Sequence, residues 1–215
     1  MSCNCYFVYR LSEINLRIIP LEYPLLHKSF NQLIKLEDDA YIDIESRMVR
    51  KTLSKKEYLL QEGQTIHFLP FINEGLMVNY RIGDDGDRHV LQIRSSGFWL
   101  GDLYSFFSGN ASNFNIQAYR DTELLLMSHE TFDYITKEYP ITERYFRLGM
   151  QYAYIETLEQ VFNFHSLSAE KRYLQLIERI PSLLDEIPHY LIASYLGIKP
   201  QSLSRIRKDV ISKSD

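Results

Sequence analysis

Gln201, Ser202, Ser204, Arg205, Arg207 and Lys208 crowd into eight consecutive positions near the C-terminal end of the sequence. Glutamine can pair through two hydrogen bonds with adenine and arginine with guanine, while hydroxyls and further cations hold phosphates. Leu203 and Ile206 stand three apart, so on a helix they share one face and leave the polar side chains on the rest of the surface. The chemistry open to this set is non-covalent: reading the edges of base pairs in duplex DNA while gripping its backbone.

Such a set needs a helix held at a fixed angle by a second one. Pro188 suits the first position of a helix, where its missing N–H would be unpaired anyway, and Leu191, Ile192, Tyr195 and Leu196 then recur with helical period. Gly197 can turn the chain through the left-handed region, and Pro200 can open a second helix. The spacing over residues 187–208 therefore predicts two helices joined by a short turn. A helical hairpin that merely carries basic residues would show the same spacing, and the pattern alone leaves both readings open.

Length and composition set the frame. A chain of 215 residues predicts two domains, or one with appendages. With 45% hydrophobic and 24% charged residues and no apolar run near the roughly 18–20 needed to span a bilayer, no membrane segment is expected. The net charge is -4, but from Ser166 onward 8 basic residues face 6 acidic ones, a net of +2 that leaves -6 for the rest. That asymmetry fits an acidic portion joined to a nucleic-acid-contacting end. Cys3 and Cys5 are too close in sequence to staple a fold, a reducing cytoplasm is the expected compartment, and the first residues lack the pattern of a secretory signal.

Residues 1–24 read as an extension to which no function is assigned. Helical period over residues 25–49 predicts short helices. From about residue 56 to 127 the period becomes two: Leu76, Val78, Tyr80 and Ile82 alternate with Met77, Asn79 and Arg81 as a half-buried strand, and Gly83-Asp84-Asp85-Gly86-Asp87 turns the chain into a partner strand carrying Val90, Leu91 and Ile93. Many short strands with regular turns predict a sandwich or barrel. Helical period returns at Ser128, with a short helix over 129–137, a long one over 141–164 and another over 169–180. The long helix is apolar over so wide an arc that it must be buried on two sides, by its own barrel and by something else; a second copy of the same helix is the economical candidate, and one large domain that buries it all is the alternative.

A roll of strands, a long apolar helix and a paired-helix end, in that order, resemble the Crp/Fnr family of bacterial transcription regulators over about residues 25–208. Lys56-Glu57-Tyr58-Leu59-Leu60-Gln61-Glu62-Gly63 is similar to the start of that family's roll, and Ala193-Ser194-Tyr195-Leu196-Gly197-Ile198 with Ser202-Leu203-Ser204-Arg205-Ile206-Arg207 to its DNA-binding motif. The resemblance implies an α+β chain with a jelly-roll-like double-stranded β-helix sensor domain of the cyclic-nucleotide-binding type at 25–140, a dimerisation helix at 141–165 and a helix-turn-helix domain at 166–215. It implies base contacts from Gln201 and Arg205, with Pro200 giving up a usual reading position, and phosphate contacts from His189, Tyr190, Lys199, Ser202, Ser204, Arg207 and Lys208. Only a few polar residues follow the second helix, so no β-hairpin wing is expected.

The family's cyclic-nucleotide pocket maps onto Gly101, Asp102 and Leu103, with Ser112 and Asn113 where an arginine–serine pair should grip the phosphate. No arginine stands between Arg94 and Arg120, so an anionic nucleotide would be buried without a compensating charge, and cyclic AMP is not the expected effector. Phe98, Trp99, Tyr104, Phe106, Phe107 and Phe114 either line a pocket for an uncharged ligand or pack the core. The partners implied are duplex DNA with a near-palindromic site, a second copy of the chain, a small-molecule effector and RNA polymerase.

Two other readings stand beside this one: a cupin-like metal-dependent enzyme, and a ligand-sensing roll acting through protein contacts. The six histidines (27, 67, 89, 129, 165, 189) are isolated, and after His129-Glu130 an aspartate, Asp133, replaces the second histidine of the zinc-protease motif. No phosphate loop, dinucleotide fingerprint or nucleophile elbow occurs, so neither an enzyme nor a cofactor is expected.

Overall fold

The computed structural model describes residues 22–212. Cys3, Cys5 and the rest of the expected extension up to residue 21 lie outside the described residues, as do residues 213–215. The described residues open with α1 (Pro24–Leu33), begun by a proline in its first turn, and α2 (Asp38–Ser46), whose first turn carries Asp38 and Asp39 against the positive helix end. Leu26, Phe30, Tyr41 and Ile44 turn inward from these two helices.

Seven strands follow: β1 (Val49–Leu53), β2 (Tyr58–Leu60), β3 (Phe68–Glu74), β4 (Leu76–Ile82), β5 (Arg88–Ser95), β6 (Asn115–Ala118) and β7 (Thr122–Ser128). They form two antiparallel sheets in the orders β1-β7-β3 and β2-β6-β4-β5, with α3 (Leu103–Ser108) inserted after β5. Phe71, Ile72, Met77, Phe106, Ile116 and Leu124 fill the space enclosed by the sheets. The strand region thus starts seven residues earlier than the alternation suggests, at Val49 rather than residue 56, and it contains a helix that alternation could not announce.

After the roll come α4 (His129–Glu138), capped by the Ser128 hydroxyl, and the long α5 (Ile141–Ser166). Tyr145 anchors the start of α5: Phe30 stacks on its ring at 4.2 Å, and the Trp99 indole N–H donates to its hydroxyl at 2.8 Å. Beyond that point α5 buries little against the roll, which it meets again through Glu156 and Arg94 of β5. Thr142 and Tyr145 are its buried residues, whereas Met150, Tyr154, Ile155, Leu158, Val161 and Phe162 are exposed. Its own barrel therefore covers much less of the helix than its apolar arc led one to expect.

The chain ends in α6 (Ala169–Arg179), capped by Ser168, then α7 (Leu183–Glu186), α8 (His189–Tyr195) and α9 (Pro200–Ser212). Pro188 caps α8 from outside rather than forming its first residue. These helices do not have a core to themselves. Tyr173, Leu176, Leu183, Ile187, Leu191, Ile192, Leu196 and Leu203 share one apolar cluster with Leu76, Val78, Tyr80, Val90, Ile93 and Tyr119 of the roll. This corrects the half-buried reading of β4: Leu76 to Tyr80 are at most 4% exposed, because Met77 faces the roll interior while Leu76, Val78 and Tyr80 face the C-terminal helices.

Candidate nucleic-acid interface

The turn between α8 and α9 sets the angle of the candidate reading helix. Gly197 adopts φ +64°, its N–H bonds the Ser194 carbonyl, and the Ile198 N–H reaches back to the Ala193 carbonyl, each at 3.0 Å. This pair of bonds satisfies carbonyls that a helix end otherwise leaves open. Leu203 and Ile206 then press one face of α9 into the apolar cluster. Gln201, Arg205 and Lys208, three to four residues apart, stand exposed on another face, with Ser204 beside them.

The remaining residues of the predicted set divide by engagement. His189, Tyr190 and Lys199 are exposed at the start of α8 and in the turn, and Ser202 is half-buried. The Ser204 hydroxyl donates to the Pro200 carbonyl at 3.1 Å, and the Arg207 guanidinium is hydrogen-bonded to the His189 ring, so these two donors are held within the helical pair. Gln201, Arg205, Lys199 and Lys208 have no such bond among those described.

The helical pair is fixed to the roll by groups the sequence did not single out. Ser194 Oγ accepts the Val90 N–H at 2.9 Å and donates to the Arg88 carbonyl at 2.7 Å, so α8 closes the outer edge of β5. Arg88 lies 4.6 Å above the Tyr80 ring and donates to Gln117 and Tyr119, whose phenol burial pushes up from its ordinary value. Arg172 donates to the carbonyls of Phe164, Leu167 and Leu196, gathering the ends of α5 and α8. Glu156 of α5 takes two bonds from Arg94 of β5, at 2.9 and 2.7 Å, and one from Arg179 of α6 at 2.9 Å; Arg179 also donates to the Tyr195 hydroxyl. Burial pushes the Glu156 carboxyl up, but the two guanidinium groups outweigh it and hold it below the usual carboxylate range. An acid inside the apolar run Tyr152 to Leu158 was the one local sign of this node.

Ser194→Ala removes both bonds to the β5 edge, and the expected loss is about 1–2 kcal/mol in denaturant unfolding. Faster hydrogen exchange at the Val90 amide would place that loss at this contact.

Between β5, the segment after it and α5 lies a groove of about 550 Å³. Gly101, Asp102 and Leu103 line it, but Ser112 and Asn113 do not. Ser112 is buried in a turn, exchanging backbone bonds with Gln64 and Gly63, while Asn113 is exposed. Asp102 is occupied as the cap of α3, accepting from the Tyr104 and Ser105 N–H groups. The aromatic set divides: Phe106 is in the core, Trp99 packs against it, Tyr104 and Phe114 line the groove, and Phe98, Tyr104 and Phe107 are exposed. Among the described residues no three metal-type side chains converge, and no helix is long and apolar enough to cross a membrane.

Residues 50–139 match the family described as the cyclic nucleotide-binding domain. No curated protein matches the sequence as a whole. Among solved structures, the chain is similar to the c-di-GMP responsive global regulator CLP of Xanthomonas campestris, with 13% identity over 83% of this chain and 93% of that one and a TM-score of 0.65. It is also similar to FixK2 of Bradyrhizobium japonicum, with 15% identity, coverage of 78% and 86%, and a TM-score of 0.65. The catabolite activator protein of Thermus thermophilus aligns at 18% identity over 89% and 88%, with a TM-score of 0.52. At such identities the likeness concerns the fold. With a cyclic-nucleotide-binding-type roll at residues 50–139 and the helices that follow it, the chain has the fold of the Crp/Fnr regulators.

Proposed function

We propose that the chain is a sequence-specific DNA-binding regulator of transcription that works as a homodimer. Residues 25–140 act as the sensing roll, 141–165 as the dimerisation helix and 166–215 as the DNA-binding unit. The observation that carries the reading is the division of α9 into an anchored face, Leu203 and Ile206, and an exposed face bearing Gln201, Arg205 and Lys208. Gln201 and Arg205 read base edges in the major groove. His189, Tyr190, Lys199, Ser202 and Lys208 hold phosphates, joined by Ser204 and Arg207 once their internal bonds are exchanged. The test is selection from a random duplex pool at moderate salt: a near-palindromic site with half-sites about 34 Å apart is expected, and enrichment of no sequence would end the proposal.

The dimer rests on α5. Leu148, Ile155 and Phe162 recur every seven residues with Leu158 between, a coiled-coil-like row, and Ile155, Leu158 and Phe162 are 47–68% exposed in the single chain. Two such rows facing each other would cover it and bring two α9 helices to one face. Phe162→Asp should give a monomer by light scattering and lose the selected site while keeping its circular dichroism. An unchanged mass would place the contact elsewhere.

A further inference from the structure

We infer that the groove between β5, residues 101–104 and α5 binds an uncharged, flat aromatic molecule with an N–H donor, and that this ligand rests directly on α8 and the end of α5. The second half of this inference rests on the regulator reading above; the first does not.

The charge of the ligand follows from what the groove holds. Arg94 and Glu156 both line it, and they are bound to each other through two hydrogen bonds, with Arg179 on the same carboxylate. Asp102 is engaged with two backbone N–H groups of α3. An anion in the groove would have to draw Arg94 away from a partly buried carboxylate or rest on the exposed His165 alone, and a cation would have to draw the carboxylate from two arginines. Either exchange leaves a charge poorly compensated.

The donor follows from Asn79. It lines the groove, is 4% exposed, and its side-chain oxygen is buried without a hydrogen-bond partner. Its amide nitrogen reaches Gln92 only at 3.5 Å. A buried amide oxygen left unpaired is costly, so a ligand N–H presented there would satisfy it. Tyr104, Phe114 and Phe164 provide ring faces for a flat molecule, and the space falls within the range of small-molecule pockets.

The groove ends on the DNA-binding unit itself. Tyr195 of α8 lines it, and so does Phe164, whose ring packs so closely over Gly197 that a Cβ there would lie 2.1 Å from it. Arg172 sits 5.2 Å from that ring while holding the Leu196 carbonyl. A molecule that shifts Phe164 therefore pushes on the turn between α8 and α9, without any signal having to travel along α5.

The experiment uses N-phenylnaphthylamine, which is uncharged and has one N–H, beside its sulfonated counterpart anilinonaphthalenesulfonate, on the full chain by fluorescence. Saturable binding at one site per chain is expected for the uncharged dye, with the sulfonate at least about 10-fold weaker. Asn79→Leu should weaken the uncharged dye about 5–10-fold. Leu103→Trp, at a position already 42% exposed, should fill the groove and abolish saturable binding without loss of fold. Equal binding of both dyes, displacement by cyclic AMP, or indifference to Leu103→Trp would overturn the ligand assignment. On the selected duplex, the uncharged dye should change DNA affinity in the parent chain and not in Leu103→Trp; dye binding without that change overturns the coupling. If no duplex is selected, the regulator reading fails while the dye arms still judge the groove.

Discussion

Gly197→Ala should destabilise the C-terminal helices by about 2–4 kcal/mol, more than any other single methyl group that could be added to the turn. Two costs act together. At φ +64° an L side chain is strained, and its Cβ would lie 2.1 Å from Phe164 Cε2 and 3.0 Å from Cδ2. They can be separated by a double-mutant cycle. Phe164→Ala opens the space and should return the steric part, leaving about 1 kcal/mol or slightly more for the backbone. Unfolding in urea measures both. Because the turn sets the direction of α9, DNA affinity should fall with stability in the single variant, and the cycle should show coupling in both quantities. If Gly197→Ala and Gly197→Ala with Phe164→Ala are equally destabilised, the ring is not what limits this position.

The docking of the C-terminal helices explains why some of the fold was legible in the residues and some was not. The α8–α9 pair could be found locally: Pro188, Gly197 and Pro200 punctuate it, and Leu203 and Ile206 mark its inner face. The cap Ser128 was equally local, since it accepts an N–H from three residues on. The β4–β5 hairpin was visible from its turn, yet its burial was not. Alternation measures one covered face, and β4 has two, the second supplied by helices about a hundred residues away. The edge strand β1 failed for the opposite reason: Val49, Arg50, Lys51 and Thr52 are all exposed, so no apolar period marks it. α3 lies in an aromatic run whose helical signs are its two caps alone, Asp102 and Gly109.

At the candidate site the same distinction holds. The exposed face of α9 could be listed from spacing because exposure and spacing are linked on a helix. The partners that fix the helical pair could not, because Ser194 with Val90 and Arg88, and Glu156 with Arg94 and Arg179, join residues from 23 to 106 positions apart. The predicted pocket came from the resemblance throughout, and it divided: Gly101, Asp102 and Leu103 line a groove, while Ser112 and Asn113 sit elsewhere.

Arg205→Ala and Lys208→Ala distinguish reading from gripping, and their effects should differ in kind. Both side chains are exposed on α9, three residues apart, and neither is needed by the apolar cluster beneath. Arg205, one helical turn from Gln201, is placed to meet a base edge. Its truncation should cost about 1–3 kcal/mol at the selected site, broaden preference at one base pair in each half-site, and leave non-specific binding nearly unchanged. Lys208 follows one turn later, where a helix lying in the groove meets the backbone. Its truncation should weaken all duplexes alike and lower the slope of affinity against salt by about 1 for each chain. Titrations of a selected and a scrambled duplex at several salt concentrations measure both. If Arg205→Ala weakens the two duplexes equally, the arginine is holding phosphate and the base reading must pass to Gln201 alone. If Lys208→Ala changes preference rather than slope, α9 lies deeper in the groove, with its C-terminal half against the bases.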